Sequence, residues 1–487
     1  MNRTQNAPRP AGERGSILVL TLVISLVIVL TLAAAVTTTT TQSRNAQFAL
    51  DYTGALALAE GTTEAAQKRM LDEVANFRPP TLSGFIAISG LNYPYTATPL
   101  GAPVNRVSPD GFNMAIQTYR ITATATVGTA STTVHRVVDL TMTPLFQYMI
   151  FYENDLEILP GPSMMLSGRV HSNSDIYLSC GGTLTVDTEH FRATGDFLRK
   201  RKDDNSEGTG TVNFKVKGTT DYQPMTNATD SEHPDWINMA IDTWQGSVQD
   251  GDHGVKEVTT PAIGTIKAFD PVTAEKGYYH KNADLVVVNN QAYDRSGNLL
   301  PLPAGTIVEK SMYDAREGKP IKVTEIDIGR LNASGAFPAN GLIYAYRTDS
   351  SSSKPNGIRL ANAKEVLKPM TLASQDPVYL KGDFNTVNKK GVAVMSDAVN
   401  LLSNAWNDSK KPNTLPVATA TKYNVAMVTG NVPTPDGGGS YSGGFENLPR
   451  FHENWTNVKA TIRGAFINIF ESEIAKSKWV YGGDKYT

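Results

Sequence analysis

The stretch Ser16–Val36, SILVLTLVISLVIVLTLAAAV, decides how the rest of the chain is read. Its 21 residues carry no charge. Coiled as a helix they span roughly 30 Å, one crossing of a bilayer's hydrocarbon core. Arg3, Arg9 and Arg14 precede the segment with one acid, Glu13, and the next charge, Arg44, lies beyond the threonine run Thr37–Thr41. That arginine excess predicts residues 1–15 in the cytoplasm and everything after residue 37 exported. A cleaved secretory signal would need a shorter apolar stretch and a small-residue cleavage site, which Ala33, Ala34 and Ala35 could supply; a plain membrane anchor shares the same topology.

Beyond the apolar segment, Ala49, Tyr52, Leu56, Ala59, Thr63, Ala66, Met70 and Val74 recur at three- and four-residue spacing, the signature of a helix with one apolar face. The helix is therefore predicted to continue over residues 37–78, until Pro79 and Pro80 end it. Residues 81–112 are punctuated by Pro and Gly and read as a long loop with short strands. Tyr119, Ile121, Ala123, Ala125 and Val127 then alternate with polar neighbours, as do Val134, Val138, Leu140 and Met142 after Gly128 and Thr129, which predicts a β-hairpin closing a first domain over 81–145.

The totals bound the remainder. A chain of 487 residues with 40 Gly and 27 Pro has enough length for a sizeable core and enough turns for many short strands. Formal net charge is -2, from 45 basic and 47 acidic residues, so no field favours nucleic acid. The one cysteine, Cys180, excludes an intrachain disulfide framework and a thiolate metal cluster. From residue 146 to 487, short apolar runs such as GRVHSNSDIYL (168–178), GTVNFKVKG (210–218), PVYLKGDF (377–384) and YNVAMV (423–428) sit between Gly, Asn and Asp. The predicted fold class is α+β: a long N-terminal transmembrane and amphipathic helix, then a β-rich body. A parallel β-helix-like stack is favoured over a β-sandwich because Asn173, Asn385, Asn388 and Asn424 recur at expected corners, where asparagine tolerates left-handed backbone. Polar inserts at 199–210 and 348–357 read as exposed and mobile.

The junction Arg14-Gly15-Ser16, a short polar leader before an unbroken apolar helix, resembles the class III leader of type IV pilins and pseudopilins. The resemblance implies cleavage by a prepilin peptidase between Gly15 and Ser16, with the helix left attached. Leu20 stands where major pilins carry glutamate, a departure similar to PilX-type minor pilins and the tip pseudopilin of type II secretion. The body resembles large pilin-like proteins with a PilX-type N-terminus in VHSNSDIYL (170–178), MYDARE (312–317), EID (325–327), VYLKGDFN (378–385), DAVNLLSNAW (397–406) and YSGGFENLPRFHENW (441–455). Relatives of this kind continue past the equivalent of Tyr481 with a further strand.

Candidate chemistry is sparse. His171, Asn173 and Asp175 alternate, a spacing that puts all three on one strand face to bind a cation or a sugar, or to satisfy turn backbone; Asp383 and Asn385 invite the same two readings. Glu446, Arg450, His452, Glu453 and Trp455 have the residue types of a glycosidase pair, or of structural ion pairs. The loop opening at Asp203 (DDNSEG) begins like a calcium loop, yet Phe214 stands at its twelfth place. There is no HExxH, Gly-x-Ser-x-Gly or GxxxxGK[ST] motif. The sequence thus predicts no catalytic residues, no cofactor and no metal. The apolar segment and charge bias predict an envelope protein, single-pass in the inner membrane with its N-terminus inside and no nucleic-acid partner. The pilin resemblance implies a structural or adhesive role, as a minor-pilin or pseudopilin-like component of a type IV pilus or type II secretion-like filament, with other pilin-like subunits, a prepilin peptidase and the membrane as partners. The alternatives are a membrane-tethered β-helix carbohydrate-active enzyme and a simple anchored envelope protein.

Overall fold

Helix α1 runs unbroken from Arg14 to Ala75, 62 residues, in a computed structural model that describes residues 14–412, 414–435, 441 and 444–477. Residues 1–13 of the expected leader and 478–487 lie outside the described residues. The chain divides into two units, the first comprising α1 to Val74 with 79–108 and 113–142, the second 75–78, 109–112 and everything from Thr143.

In the first unit, α1 is exposed throughout 17–50 and then buries one face: Asp51, Ala55, Ala59, Thr62, Thr63, Ala66 and Met70. Tyr52, expected on that face, is exposed. The face meets an antiparallel sheet of β1 (Ser83–Ile88), β2 (Leu91–Pro99), β3 (Val104–Val107), β4 (Asn113–Val127) and β5 (Ala130–Met142). The region read as a long loop is thus largely strand. β2 and β3 share one edge of β4 and β5 takes the other. Ala66 and Met70 pack on Tyr95, Ala97, Ile121, Ala123, Val138 and Leu140. Small residues let helix and sheet approach closely, and the outer face stays polar through cross-strand pairs such as Thr124–Thr133 at 2.8 Å and Thr118–Asp139 at 2.6 Å. The hairpin tip is fastened by Asp51, whose carboxylate accepts from Gln47 at 2.7 Å and from the Thr129 amide at 3.3 Å. Glycine is required at 128: φ is +53°, and a Cβ there would lie 2.2 Å from Asp51 Oδ2.

The second unit is built of parallel strands stacked coil upon coil. Ile150, Val170, Phe191 and Val248 align in register in one row; Leu156, Ile176 and Phe197 align in a second and Leu166, Val186 and Phe214 in a third. All ten are buried, so each coil contributes a layer to one apolar core. The expected single strand at 168–178 is two, Val170–Ser172 and Ile176–Leu178, because 173–175 turn a corner. Likewise 423–428 is divided between Thr421–Asn424 and Ala426–Asn431. Of the four corner asparagines, Asn385 and Asn388 adopt positive φ; Asn173 and Asn424 do not. The insert at 199–210 is pinned rather than free: Arg199 is buried on Leu178 O and Gly210 O, and Lys202 bonds Asp155 at 2.6 Å.

Stacking order departs from chain order. The first coil, at Ile150–Tyr152, lies inside an 11-stranded sheet, not at its end. From there the chain stacks outward to Val248–Gln249, reaches the opposite end at Leu285–Val288 and its antiparallel partner Gln291–Tyr293, and stacks back until its last strand, Phe466–Glu471, pairs with Ile150–Tyr152 on one side and Ala426–Asn431 on the other. A six-stranded sheet lines another side of this second run, placing Ile326, Leu360, Leu380 and Leu401 in one inward row.

Candidate functional site

Side chains alternate across that six-stranded sheet, so Glu325, Arg359, Tyr379, Asn400 and Arg450, aligned in register, form a polar row on the face turned away from the core. The hairpin of Ile307–Asp314 and Lys319–Asp327 brings its turn, 315–318, onto this row. Asp314, fully buried, accepts from the Tyr379 hydroxyl at 2.5 Å and from the amides of Arg316 and Glu317 at 2.8 and 2.9 Å. His452, also fully buried, places Nδ1 3.7 Å from Asp314 and Nε2 2.9 Å from Asn400 Oδ1. Since the amide oxygen only accepts, Nε2 carries the proton. Arg450 pairs with Glu317 at 2.6 Å and also donates to Ser477 O. Arg359, 1% exposed, forks onto Asp408 at 2.6 and 2.9 Å and onto Glu325 at 2.7 Å. Asp397 gathers the amides of Glu473, Ile474 and Ala475 and so holds the chain after the last strand.

The protonation states follow from burial and neighbours. Burial pushes His452 down to about 3, with Asp314 opposing, so the ring is neutral at physiological pH. Burial works against the Asp314 charge too, while Arg450, the Tyr379 hydroxyl and the Glu317 amide favour it; with His452 neutral, these are the groups that hold the carboxylate ionised. Tyr379 is raised well above the ordinary tyrosine value by burial and by Asp314. Acid, phenol and imidazole thus meet, yet each is at most 1% exposed. A cavity of about 30 Å³ lies nearby, lined in part by Arg316, Arg450 and Ser477, room for a single water and no more. What the arrangement does is hold the hairpin turn and the C-terminal segment against the stack.

Sequence reasoning named only part of this network. Arg450 and His452 stand out in the sequence; Asp314, Tyr379, Asn400 and Asp397 do not. The available signal was their membership of MYDARE, VYLKGDFN and DAVNLLSNAW, which the fold brings together with the RFHENW segment. The expected acid pair is not a pair. Glu453, fully buried, binds Ser403 through its amide and hydroxyl, each at 2.6 Å, whereas Glu446 accepts from Leu159 N at 2.6 Å on a different part of the stack. Arg450 serves Glu317, not either of these.

The other candidates sit elsewhere. His171 Nε2 is 3.0 Å from Asn173 Oδ1, and burial lowers His171 to about 4. Asn173 exchanges two bonds with the backbone of Val258, at 2.8 and 2.9 Å, and donates to Glu153 at 3.0 Å, fastening the segment that crosses between the two ends of the stack. Asp175 Oδ1 accepts from Asp196 N, one coil away, at 2.8 Å. Asp383 accepts from Lys422 N at 2.9 Å, and Asn385 bridges Lys390 and the Asn424 carbonyl at 2.8 and 3.0 Å. Gly15 and Ser16 lie in the first turns of α1. Among the described residues no group of three or more His, Cys, Asp or Glu stands at metal-binding geometry.

These features define the class: an α+β chain in which one N-terminal helix, long and apolar enough to cross a membrane, precedes a large β-rich body. Neither a family model nor a curated relative matches the sequence. Among solved structures the chain is similar to the competence-associated pilin ComZ from Thermus thermophilus, with 8% identity, 90% of each chain covered and a TM-score of 0.26. A likeness that loose transfers no residue.

Proposed function

We propose that this chain is a minor-pilin or pseudopilin-like subunit of a type IV pilus or type II secretion-like filament. Residues 16–36 hold it in the inner membrane with residues 1–15 inside, and the β-rich body, periplasmic or on the cell surface, acts structurally or adhesively rather than as an enzyme. The observation that carries this reading is the continuity of α1: 62 residues without a break, wholly exposed over 17–50 and then seated by small residues on an antiparallel sheet. A tether alone needs no rigid passage from apolar segment to folded unit. A subunit that assembles by packing its helix on neighbouring helices does, because the helix must set the position of the body. Separation of Glu446 from Glu453 supports the non-enzymatic part of the reading.

The test is co-expression with a prepilin peptidase, followed by intact mass measurement of the membrane fraction. Loss of residues 1–15, abolished by Gly15→Val, is expected. An unprocessed chain reduces the protein to a simple anchor, and a mature chain beginning beyond Ala35 overturns the reading.

A further inference from the structure

The corners that carry the chain from the six-stranded sheet into each next coil stack into a further side of the second run. Helix Ile328–Ala333, the segments 362–368 and 382–390, and the paired strands Thr421–Asn424 and Ala460–Arg463 follow one another there, joined by the bridges Glu365 to Val387 and Phe384 to Tyr423. Asparagines keep the layers in step. Asn332 donates to Glu365 O at 2.9 Å and Asn388 to the Glu365 carboxylate at 2.7 Å, while Asn385 and Asn424 each donate to the other's carbonyl at 3.0 and 3.1 Å.

The layers present cations to solvent: Lys364, Lys368, Lys389, Lys390, Lys422 and Arg463. All are exposed except the half-buried Lys368, whose ammonium lies 5.8 Å from the centre of the Phe337 ring. None of them forms an ion pair among the described residues. The acids of this side are already engaged, Asp327 with Arg330 at 3.7 Å, Glu365 with Asn388, and Asp383 with the Lys422 amide at 2.9 Å. Stacked coils lie about 4.8 Å apart, within the screening length of about 8 Å at physiological ionic strength. The potentials of successive layers therefore add into one positive stripe, which the chain's net charge of -2 conceals.

An open cavity of about 620 Å³ adjoins the stripe, lined by Asn332, Glu365, Leu367, Asn388, Lys389 and Lys390. That is the size of a small-molecule site, and its lining selects the ligand. The two lysines attract an anion, the Asn388 amide and Glu365 suit hydroxyl groups, and Leu367, 51% exposed, offers an aliphatic patch to the C–H face of a ring. No aromatic side chain lines it, so a nucleobase finds nothing to stack on. Glu365 repels a phosphate but accepts from a hydroxyl. We propose that this side binds an acidic polysaccharide, with one sugar ring seated in the cavity and the carboxylates of further rings on the stripe. The site rests on the coil stack alone and stands whether or not the chain joins a filament.

The full chain in lipid nanodiscs, titrated with alginate and with polygalacturonate, two linear polyuronates, reads the site. Binding that weakens as salt rises is expected, with none to the neutral glucan dextran. Binding to neither polyuronate overturns the proposal. Lys389→Gln with Lys390→Gln is expected to weaken binding about tenfold. Lys217→Gln with Lys256→Gln makes the same charge change at exposed lysines beside the first run of coils and is expected to leave it unaltered; an equal loss in both double variants overturns the site. Glu365→Gln separates sugar recognition from charge. Loss of a carboxylate that accepts from hydroxyls weakens binding about fivefold, whereas any polyanion held by charge alone binds more tightly once Glu365 is neutral. Tighter binding in that variant overturns the proposal, as does an equal affinity of the native protein for single-stranded DNA.

Discussion

The helix–sheet unit and the coil stack solve the same problem with opposite materials. In the first, alanines bring α1 close to β2, β4 and β5, and one carboxylate, Asp51, reaches the hairpin tip. In the second, large apolar side chains pile coil on coil while buried ions on the outward face fix the hairpin and the C-terminal segment. Close packing of small residues tolerates no added bulk but leaves few polar groups stranded. A buried ionic network gives little net stability when whole and is costly when broken, because each partner left behind is a desolvated charge. The two units should therefore respond very differently to the loss of one polar side chain.

The largest effect is expected at Arg450. Replacing it by leucine leaves Glu317 and Asp314 buried without their guanidinium neighbour, at a cost of about 3–5 kcal/mol. Urea unfolding followed by tryptophan fluorescence, to which Trp406 contributes beside His452, measures it. A loss under about 1 kcal/mol would mean that water reaches the site and that the contrast between the units is overdrawn.

Next comes acid. His452 is held down to about 3 and His190 likewise, with His171 at about 4, each chiefly by burial. A folded state that refuses protons the unfolded chain accepts near 6.5 loses stability as pH falls from there toward 3–4. His452→Gln, which keeps a donor toward Asn400, is expected to flatten part of the slope by about 1–3 kcal/mol at pH 4, read as a smaller drop in urea midpoint between pH 7 and pH 4. An unchanged slope would assign acid sensitivity to His171 and His190.

Which parts of this contrast were legible in sequence follows from the range of the interactions. Ser16–Val36 announces itself because bilayer length and lack of charge are local properties. The stack was legible as short apolar runs, but corners such as 173–175 are set by side chains bonding other coils, so strand boundaries blurred. Pairing of Ile150 with Phe466 was not legible at all: the partners are distant in sequence, and a strand's register records nothing about which edge it joins. Asp314 and Glu317 looked like ordinary hairpin charges, and Tyr379 and Asn400 like outward residues of separate strands. Only the coil geometry makes one site of them. Glu446 and Glu453 failed as a pair for the converse reason, since neighbours in sequence on a coiled chain can serve different faces. Asp51 was missed because a lone acid on a helix reads as solvent-facing.

Asp51 provides the smallest effect and the sharpest comparison. Asp51→Ala removes the acceptor for the Thr129 amide, just as Arg450→Leu removes the partner of Glu317. Thr129 is exposed, however, so its amide can turn to water once the carboxylate is gone, and Gln47 lies on the open side of the helix. The expected loss is about 1 kcal/mol, confined to faster amide exchange at the β4–β5 turn, with the coil stack unaffected. Gly128→Ala in the Asp51→Ala background separates the two reasons for glycine at that position. With the carboxylate gone the added methyl no longer meets Oδ2, and only the positive φ remains to oppose it, about 1 kcal/mol. Much larger damage from the double variant would show that the tip is clamped by more than this one acid, and that the helix–sheet unit also depends on a network.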